Sequence, residues 1–239
     1  MPNEKTKEKF ITEAVEDYLK TIYTLCQEGS DAGRGECKGA STQKIAARLG
    51  VSAPGVTKML HHLAKHQLVE HTPYAPTVLT PLGEKIALEL IRHHRLLELY
   101  LMESLGYGWE QVHAEAERLE HHISEGFEAS IERLLGFPEF DPHGDPIPTR
   151  DGQMPKYATA TLAAQADGVP LVVRRVTDEN PELLCYLKER RLLPGTPVRI
   201  AEREPFGGAL VVEVDGEQER ISPEAAGNVF VEIAGAEDS

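Results

Sequence analysis

The stretch TQKIAARLGVSAPGVTKMLHHLAKHQLV, residues 42–69, constrains the fold of this chain more than any other. Apolar residues recur at helical spacing on both sides of Gly50, Thr42 can cap a first helix, and Ser52 can cap a second running to about His66. Two short amphipathic helices around a glycine turn are the parts of a helix-turn-helix. The HTPYAPTVLT that follows sets prolines between two short β-prone runs and reads as a hairpin wing. Upstream, AVEDYLKTIYTL places Val15, Leu19, Ile22 and Tyr23 on one helical face. The glycine-rich CQEGSDAGRGECKGAS after it reads as an exposed loop.

Pro81 opens a long helical pattern, with Ile86, Leu90, Leu97 and Leu101 apolar and a stop at Gly106. A second helix is expected over about Trp109 to Glu125 and a third to Leu135. Three helices this apolar imply a bundle that dimerises or packs on its neighbours. Residues 136–157 hold five prolines without periodicity and read as a linker or meandering loop. The last 80 residues alternate short β-like runs, LVVRRV, TPVRIAER, ALVVEV and NVFVEI, with turns and one short helix near 181–190, which suits a small barrel. The fold class is therefore mainly α with a small β domain.

The chain has 239 residues and a net charge of -14, which argues at first against nucleic acid as a partner. The acid lies downstream, however. Residues 1–81 carry 10 Lys/Arg against 9 Asp/Glu, residues 82–140 carry 5 against 12, and residues 141–239 carry 10 against 18. Within 42–72 the balance is four basic to one acidic. The charged N-terminus lacks an apolar segment behind it and no long apolar run follows, so neither a signal peptide nor a membrane partner is expected, and the protein reads as cytoplasmic. Cys26, Cys37 and Cys185, an odd number without a C-x-x-C, read as free thiols.

The segment HAEAERLEHH, 113–122, concentrates ligand-type side chains. On a helix Glu117, Glu120 and His121 converge, with His113 one turn earlier, while His94 and Glu98 form an i, i+4 pair on the preceding helix. Any one such pair is very often just a solvated helix face. The set as a whole lies beside the apolar stripe Val112, Ala116, Leu119 and Ile123, where mutual repulsion calls for a cation. His93 and His122 fall off these faces and read as surface residues.

EDYLKTIYTL, IAARLGVSAPGVTKMLHHL, LTPLGEKIA, IRHHRLLELYL and VHAEAERLEHHIS, in this order and spacing, make the chain resemble the diphtheria-toxin-repressor family of metal-dependent transcriptional regulators, in its manganese-responsive long form. The resemblance implies a winged helix-turn-helix DNA-binding domain over 1–80, a helical metal-binding and dimerisation domain over 81–140, a linker over 141–157, and an SH3-like, FeoA-like β-barrel over 158–239. It implies a primary metal site of Asp17, Glu117, Glu120 and His121. It also implies an ancillary site of His94, Glu98 and His113, completed from the barrel by Glu179 and Glu182 across a one-residue alignment gap. Iron-responsive members carry cysteine and methionine where this chain has Glu117 and Asp17. Oxygen donors in their place favour Mn²⁺, with Fe²⁺ the alternative. Lys20, where short manganese regulators carry an acid, implies separated rather than bridged sites.

In the implied function, metal binding permits a homodimer to bind a palindromic double-stranded operator. Ser52, Pro54, Thr57 and Lys58 would face the major groove, and Thr42, Gln43, Lys44 and Lys58 would hold phosphates. Two rivals come from other classes. A di-iron bundle enzyme wants two Glu-x-x-His pairs, and only Glu110 to His113 is present; a peptide-binding barrel wants aromatic residues, and the last 80 residues have Tyr186, Phe206 and Phe230.

Overall fold

The computed structural model describes residues 11–28, 39–72 and 75–235. The chain divides into two compact units, residues 1–93 with 148–154, and residues 94–147 with 155–239.

In the first unit, helix α1 (Glu13–Glu28) buries Val15, Leu19, Ile22 and Leu25. Helices α2 (Thr42–Leu49) and α3 (Ala53–Lys65) follow. Ser41, one residue before the sequence expectation, caps α2 by accepting from the Lys44 N–H, and Thr42 becomes the first helical residue. Gly50 ends α2 at φ 65°, a left-handed conformation that costs glycine nothing. Ser52 caps α3 through the Gly55 N–H, and Pro54 sits in the first turn, where a missing N–H is harmless. Leu19, Ile22, Ile45, Val56, Leu60, Leu63 and Leu68 make the shared core. Each such side chain contributes about 1.5–3 kcal/mol on burial.

The wing pairs β1 (Val69–Glu70) with β2 (Val78–Leu79) antiparallel, and an isolated bridge joins Ala40 to Thr77. Thr80 caps helix α4 (Pro81–Leu105) by accepting from the Gly83 N–H. A Cβ at Gly83 would lie 2.0 Å from the Leu68 carbonyl oxygen, so only glycine lets α4 start against the wing. Cys26 is buried and disulfide-bonded, which corrects the expectation of free thiols; Cys185 is free and exposed, and Cys37 lies outside the described residues. Thiol pairing depends on which cysteines the fold brings into range, and sequence spacing does not report that.

In the second unit the rest of α4 packs with α5 (Val112–Leu119) and α6 (Glu125–Leu134) around Leu96, Leu97, Leu101, Val112, Ala116, Ile131 and Ile147. Helix α5 ends earlier than its sequence pattern, at Leu119 with Glu120 as its cap, and Ser124 starts a new helix by accepting from the Phe127 N–H. The C-terminal domain is a five-stranded antiparallel sheet in the order β6-β5-β4-β3-β7. Its strands are β3 (Leu171–Val176), β4 (Pro197–Arg203), β5 (Leu210–Val214), β6 (Glu217–Ile221) and β7 (Val229–Ile233). Helix α7 (Pro181–Glu189) joins β3 to β4, and the short α8 (Pro223–Ala226) precedes β7. Register shifts at Val173/Arg175 and Ile200/Glu202 bend the sheet into an SH3-like form. Its interior is aliphatic, with Leu171, Val173, Ile200, Val212, Val214 and Val231 buried beneath Leu184 and Leu187 of α7. Among the described residues, no helix is long and apolar enough to cross a membrane.

Candidate metal centre

Four side chains from α4, α5 and the segment after β3 converge. His94, Glu98, His113 and Asp178 each offer a ligand atom within 4.8 Å of the others. His94 Nε2 lies 3.0 Å from Glu98 Oε1 and 3.1 Å from His113 Nδ1, and His113 Nδ1 lies 3.2 Å from Asp178 Oδ2. Helical spacing puts His94 and Glu98 on one face of α4, and α5 places His113 opposite them.

The barrel residue in this group is Asp178, not Glu179 or Glu182. Both glutamates are exposed and line an open cavity of 490 Å³ with Tyr186, Ser222 and Asn228. Where a strand runs out, successive side chains point to opposite sides, so a one-residue gap in the alignment names Glu179 where the structure brings Asp178 to His113.

A second group shares Glu98. Glu98, Asp141 and His143, all buried, also offer ligand atoms within 4.8 Å of one another. Sequence reasoning missed Asp141 and His143, because the proline-rich 141–148 read as linker, yet all eight residues are buried. Their signal was slight, a DPHGDP run whose first Asp accepts from the backbone N–H groups of His143 and Asp145. Gly144 holds the run against the barrel. Its φ is +87°, and a Cβ there would meet the Arg174 carbonyl oxygen at 1.9 Å. Arg95 and Arg175 both reach Asp145, at 3.3 and 2.9 Å, and Arg175 stacks on Phe230.

The donor atoms here fit a cation. His143 Nε2 lies 2.9 Å from the Trp109 carbonyl, to which it can only donate, so in the neutral ring the lone pair is on Nδ1. Burial opposes charge on His143, yet Glu98 pushes its pKa up to about 9, so an ion bound there would displace a proton. His143 Nδ1, Glu98 Oε2 and Asp141 Oδ2 are buried without hydrogen-bond partners, and Nδ1 faces Oε2 at 3.8 Å. Buried, unsatisfied polar atoms that converge are costly unless an ion satisfies them. Burial, then repulsion from Glu98 and Asp145, pushes the Asp141 carboxyl well above its usual range. Burial would raise Glu98 too, but the His94, His113 and His143 imidazoles hold it well below the usual carboxylate range. Burial opposes charge on His113, yet Asp178 and Glu98 push it up to about 11, and Asp178 falls to about 2 through His113 despite its own burial.

His94 also faces a third group. Its Nδ1 lies 2.5 Å from Glu120 Oε2 and 3.9 Å from Glu117 Oε1. Glu120 is fully buried at the end of α5, Glu117 is exposed, and His121, 3.7 Å from Glu120, is largely covered. Asp17 is half-buried on α1 of the first unit. His122 is exposed as its position implied, whereas His93 is half-buried. Of the residues expected to meet DNA, Gln43, Lys44, Ser52, Pro54, Thr57 and Lys58 are exposed and Thr42 is half-buried.

Residues 10–76 match the iron dependent repressor N-terminal DNA binding domain, and 80–149 match the iron dependent repressor metal binding and dimerisation domain. Residues 160–233 match the FeoA domain. The iron-dependent repressor IdeR of Mycobacterium tuberculosis is 32% identical over 234 residues, spanning 93% of this chain and 98% of its own. This chain belongs to the iron-dependent repressor family. As a member it is a metal-dependent transcriptional repressor rather than an enzyme. Within the family, the transcriptional regulator MntR of Escherichia coli O157:H7 is 37% identical over 121 residues, 51% of this chain and 72% of its own. A solved manganese-dependent transcriptional repressor in complex with manganese superposes with a TM-score of 0.82 at 37% identity, covering 92% of this chain and 99% of that one. The manganese regulator SloR superposes at 0.73 with 34% identity, covering 93% and 100%.

Proposed function

We propose that this repressor responds to Mn²⁺ and, with the metal bound, occupies a palindromic operator as a homodimer in the cytoplasm. The observation that carries the reading is the donor set: Glu98, Glu117, Glu120, Asp141 and Asp178 with His94, His113 and His143 offer oxygen and imidazole nitrogen and no sulfur. Carboxylates suit Mn²⁺ where thiolates select softer ions. Fe²⁺ is the second reading, favoured by the IdeR relative, whose likeness extends over 93% of the chain.

Asp17, Glu117, Glu120 and His121 would hold the activating ion, and His94, Glu98, His113 and Asp178 an ancillary one, with Asp141 and His143 on its far side. A bound cation supplies the positive charge that lets these carboxylates converge without repulsion. Asp17 is the ligand that α1 of the reading domain contributes, and through it metal occupancy narrows the geometries that domain samples. The effect on DNA is a population shift. Leu105, Leu119, Phe127, Leu134 and Phe137 stay exposed in the single chain, the kind of apolar surface a homodimer covers. In the reading domain, Lys58, Thr57 and the exposed start of α3 would meet the major groove, with Gln43 and Lys44 on phosphates.

Operator binding titrated anaerobically against Mn²⁺, Fe²⁺ and Zn²⁺, with a chelator control, tests the metal. Half-maximal binding at the lowest free concentration with Fe²⁺ would replace the manganese reading. Unchanged metal-dependent affinity in Glu120→Ala would remove the primary-site assignment.

A further inference from the structure

A pair of histidines far along the sequence from the acidic cluster repeats its imidazole geometry. His61, on the exposed side of α3, and His71, just after β1 at the root of the wing, have ring centroids 5.3 Å apart and planes at 72°. His94 and His113 in the metal centre show 4.8 Å and 68°. Two imidazoles on one tetrahedral ion with metal–nitrogen distances of about 2.0–2.1 Å place their centroids about 5 Å apart.

The remote nitrogens are already held. His61 Nδ1 lies 2.7 Å from the Thr57 carbonyl; a carbonyl only accepts, so Nδ1 carries the proton and Nε2 keeps the lone pair. His71 Nδ1 lies 2.9 Å from the Thr77 hydroxyl. Thr77 is 1% exposed and fixed by two backbone hydrogen bonds with Ala40, so the hydroxyl that orients His71 is itself immobile. Metal-binding imidazoles are oriented in this way, one nitrogen bonded to the protein and the other presented to the ion. Burial, then the nearness of His61, lowers the His71 pKa, which favours the neutral ring that a metal ligand must be.

We propose that His61 and His71 form a two-imidazole site for a borderline divalent cation, Zn²⁺, Ni²⁺ or Cu²⁺, that fastens the wing to the reading helix. Among the described residues, no carboxylate joins the pair to make a three-ligand group. Water completes the coordination, and the site discriminates against Mn²⁺, which imidazole alone suits poorly. The metal centre and this pair would therefore sort ions by donor type on one chain.

Counting bound ions by equilibrium dialysis of the full-length protein tests the proposal, with Zn²⁺ and Mn²⁺ as separate probes. His61→Gln and His71→Gln should each bind one Zn²⁺ fewer than the parent and keep the parent's Mn²⁺ count, which also reports an intact fold. Cu²⁺ bound to the parent should show an additional two-nitrogen signal by electron paramagnetic resonance that both variants lose. An unchanged Zn²⁺ count in both variants overturns the proposal. So does loss of the ion from His66→Gln with retention in His61→Gln, which would place it on the neighbouring His62–His66 pair, whose centroids are 5.0 Å apart.

Discussion

The barrel surface and the helical metal centre are both rich in acid, yet their acids are arranged in opposite ways. On the barrel, Arg199 with Glu213, Arg174 with Glu232 and Arg203 with Asp167 are ion pairs whose members stay well exposed. Water and a guanidinium satisfy these carboxylates, and nothing further is needed. In the helical domain Glu98, Glu120 and Asp141 have 0% exposed side chains; His94, His113 and His143 face the two glutamates, and Arg95 lies 3.7 Å from Asp141. There, Glu98 Oε2, Asp141 Oδ2 and His143 Nδ1 are left without a hydrogen bond, a shortfall that a bound cation would meet. A net charge of -14 thus hides two populations of carboxylate, one paired at the surface and one gathered under imidazoles in the helical domain.

Removing a buried carboxylate should have the largest effect. Glu120→Ala is expected to weaken Mn²⁺-dependent operator binding about 100-fold, measured by fluorescence anisotropy, with the chelated protein's weak binding unchanged. Gly144→Ala strikes the loop that carries Asp141 and His143; the clash with Arg174 and the positive φ should cost about 2 kcal/mol in denaturant unfolding. Asp178→Ala should weaken Mn²⁺ at the ancillary site on the order of ten-fold by calorimetry, whereas Glu179→Ala and Glu182→Ala, on the exposed side, should not. Equal losses from all three would erase the distinction between the two populations.

Asp141→Asn sharpens the comparison by reversing sign. Because burial and like charge already push this carboxyl toward its neutral form, the amide should stabilise the chelated protein by on the order of 1 kcal/mol while weakening metal binding. The folded pKa lies above the unfolded one, so the ionised side chain destabilises the metal-free fold increasingly as pH rises above the ordinary aspartate range. The difference between variant and parent should accordingly widen toward pH 8 in thermal unfolding. Arg199→Ala, on the exposed side, should change stability by less than about 0.5 kcal/mol.

Much of this was legible in the chain itself. Gly50, Ser52 and the apolar spacing around them specify the helix-turn-helix, Pro81 and Gly106 bound α4 within a residue, and four β-rich runs reappear as strands. The fifth strand, EQERI, has no alternating apolar pattern and is defined by its pairing with β5 across the Asp215–Gly216 turn. Local signals of this kind are carried by backbone preference and by a period of 3.6 or 2, both of which a linear reading can measure. His94 and Glu98 were visible for the same reason, since one helix turn brings them together.

The sequence by itself determined the winged helix, the long central helix, the β-rich C-terminal domain and the ligand types that α4 and α5 present. Tertiary structure alone decided that Asp178 rather than Glu179 or Glu182 meets His113, that the proline-rich run supplies Asp141 and His143, and that His61 meets His71. Each of these pairs joins elements distant along the chain. Which carboxylate a turn aims inward depends on a one-residue register set by packing, and that register leaves no periodic trace in the sequence.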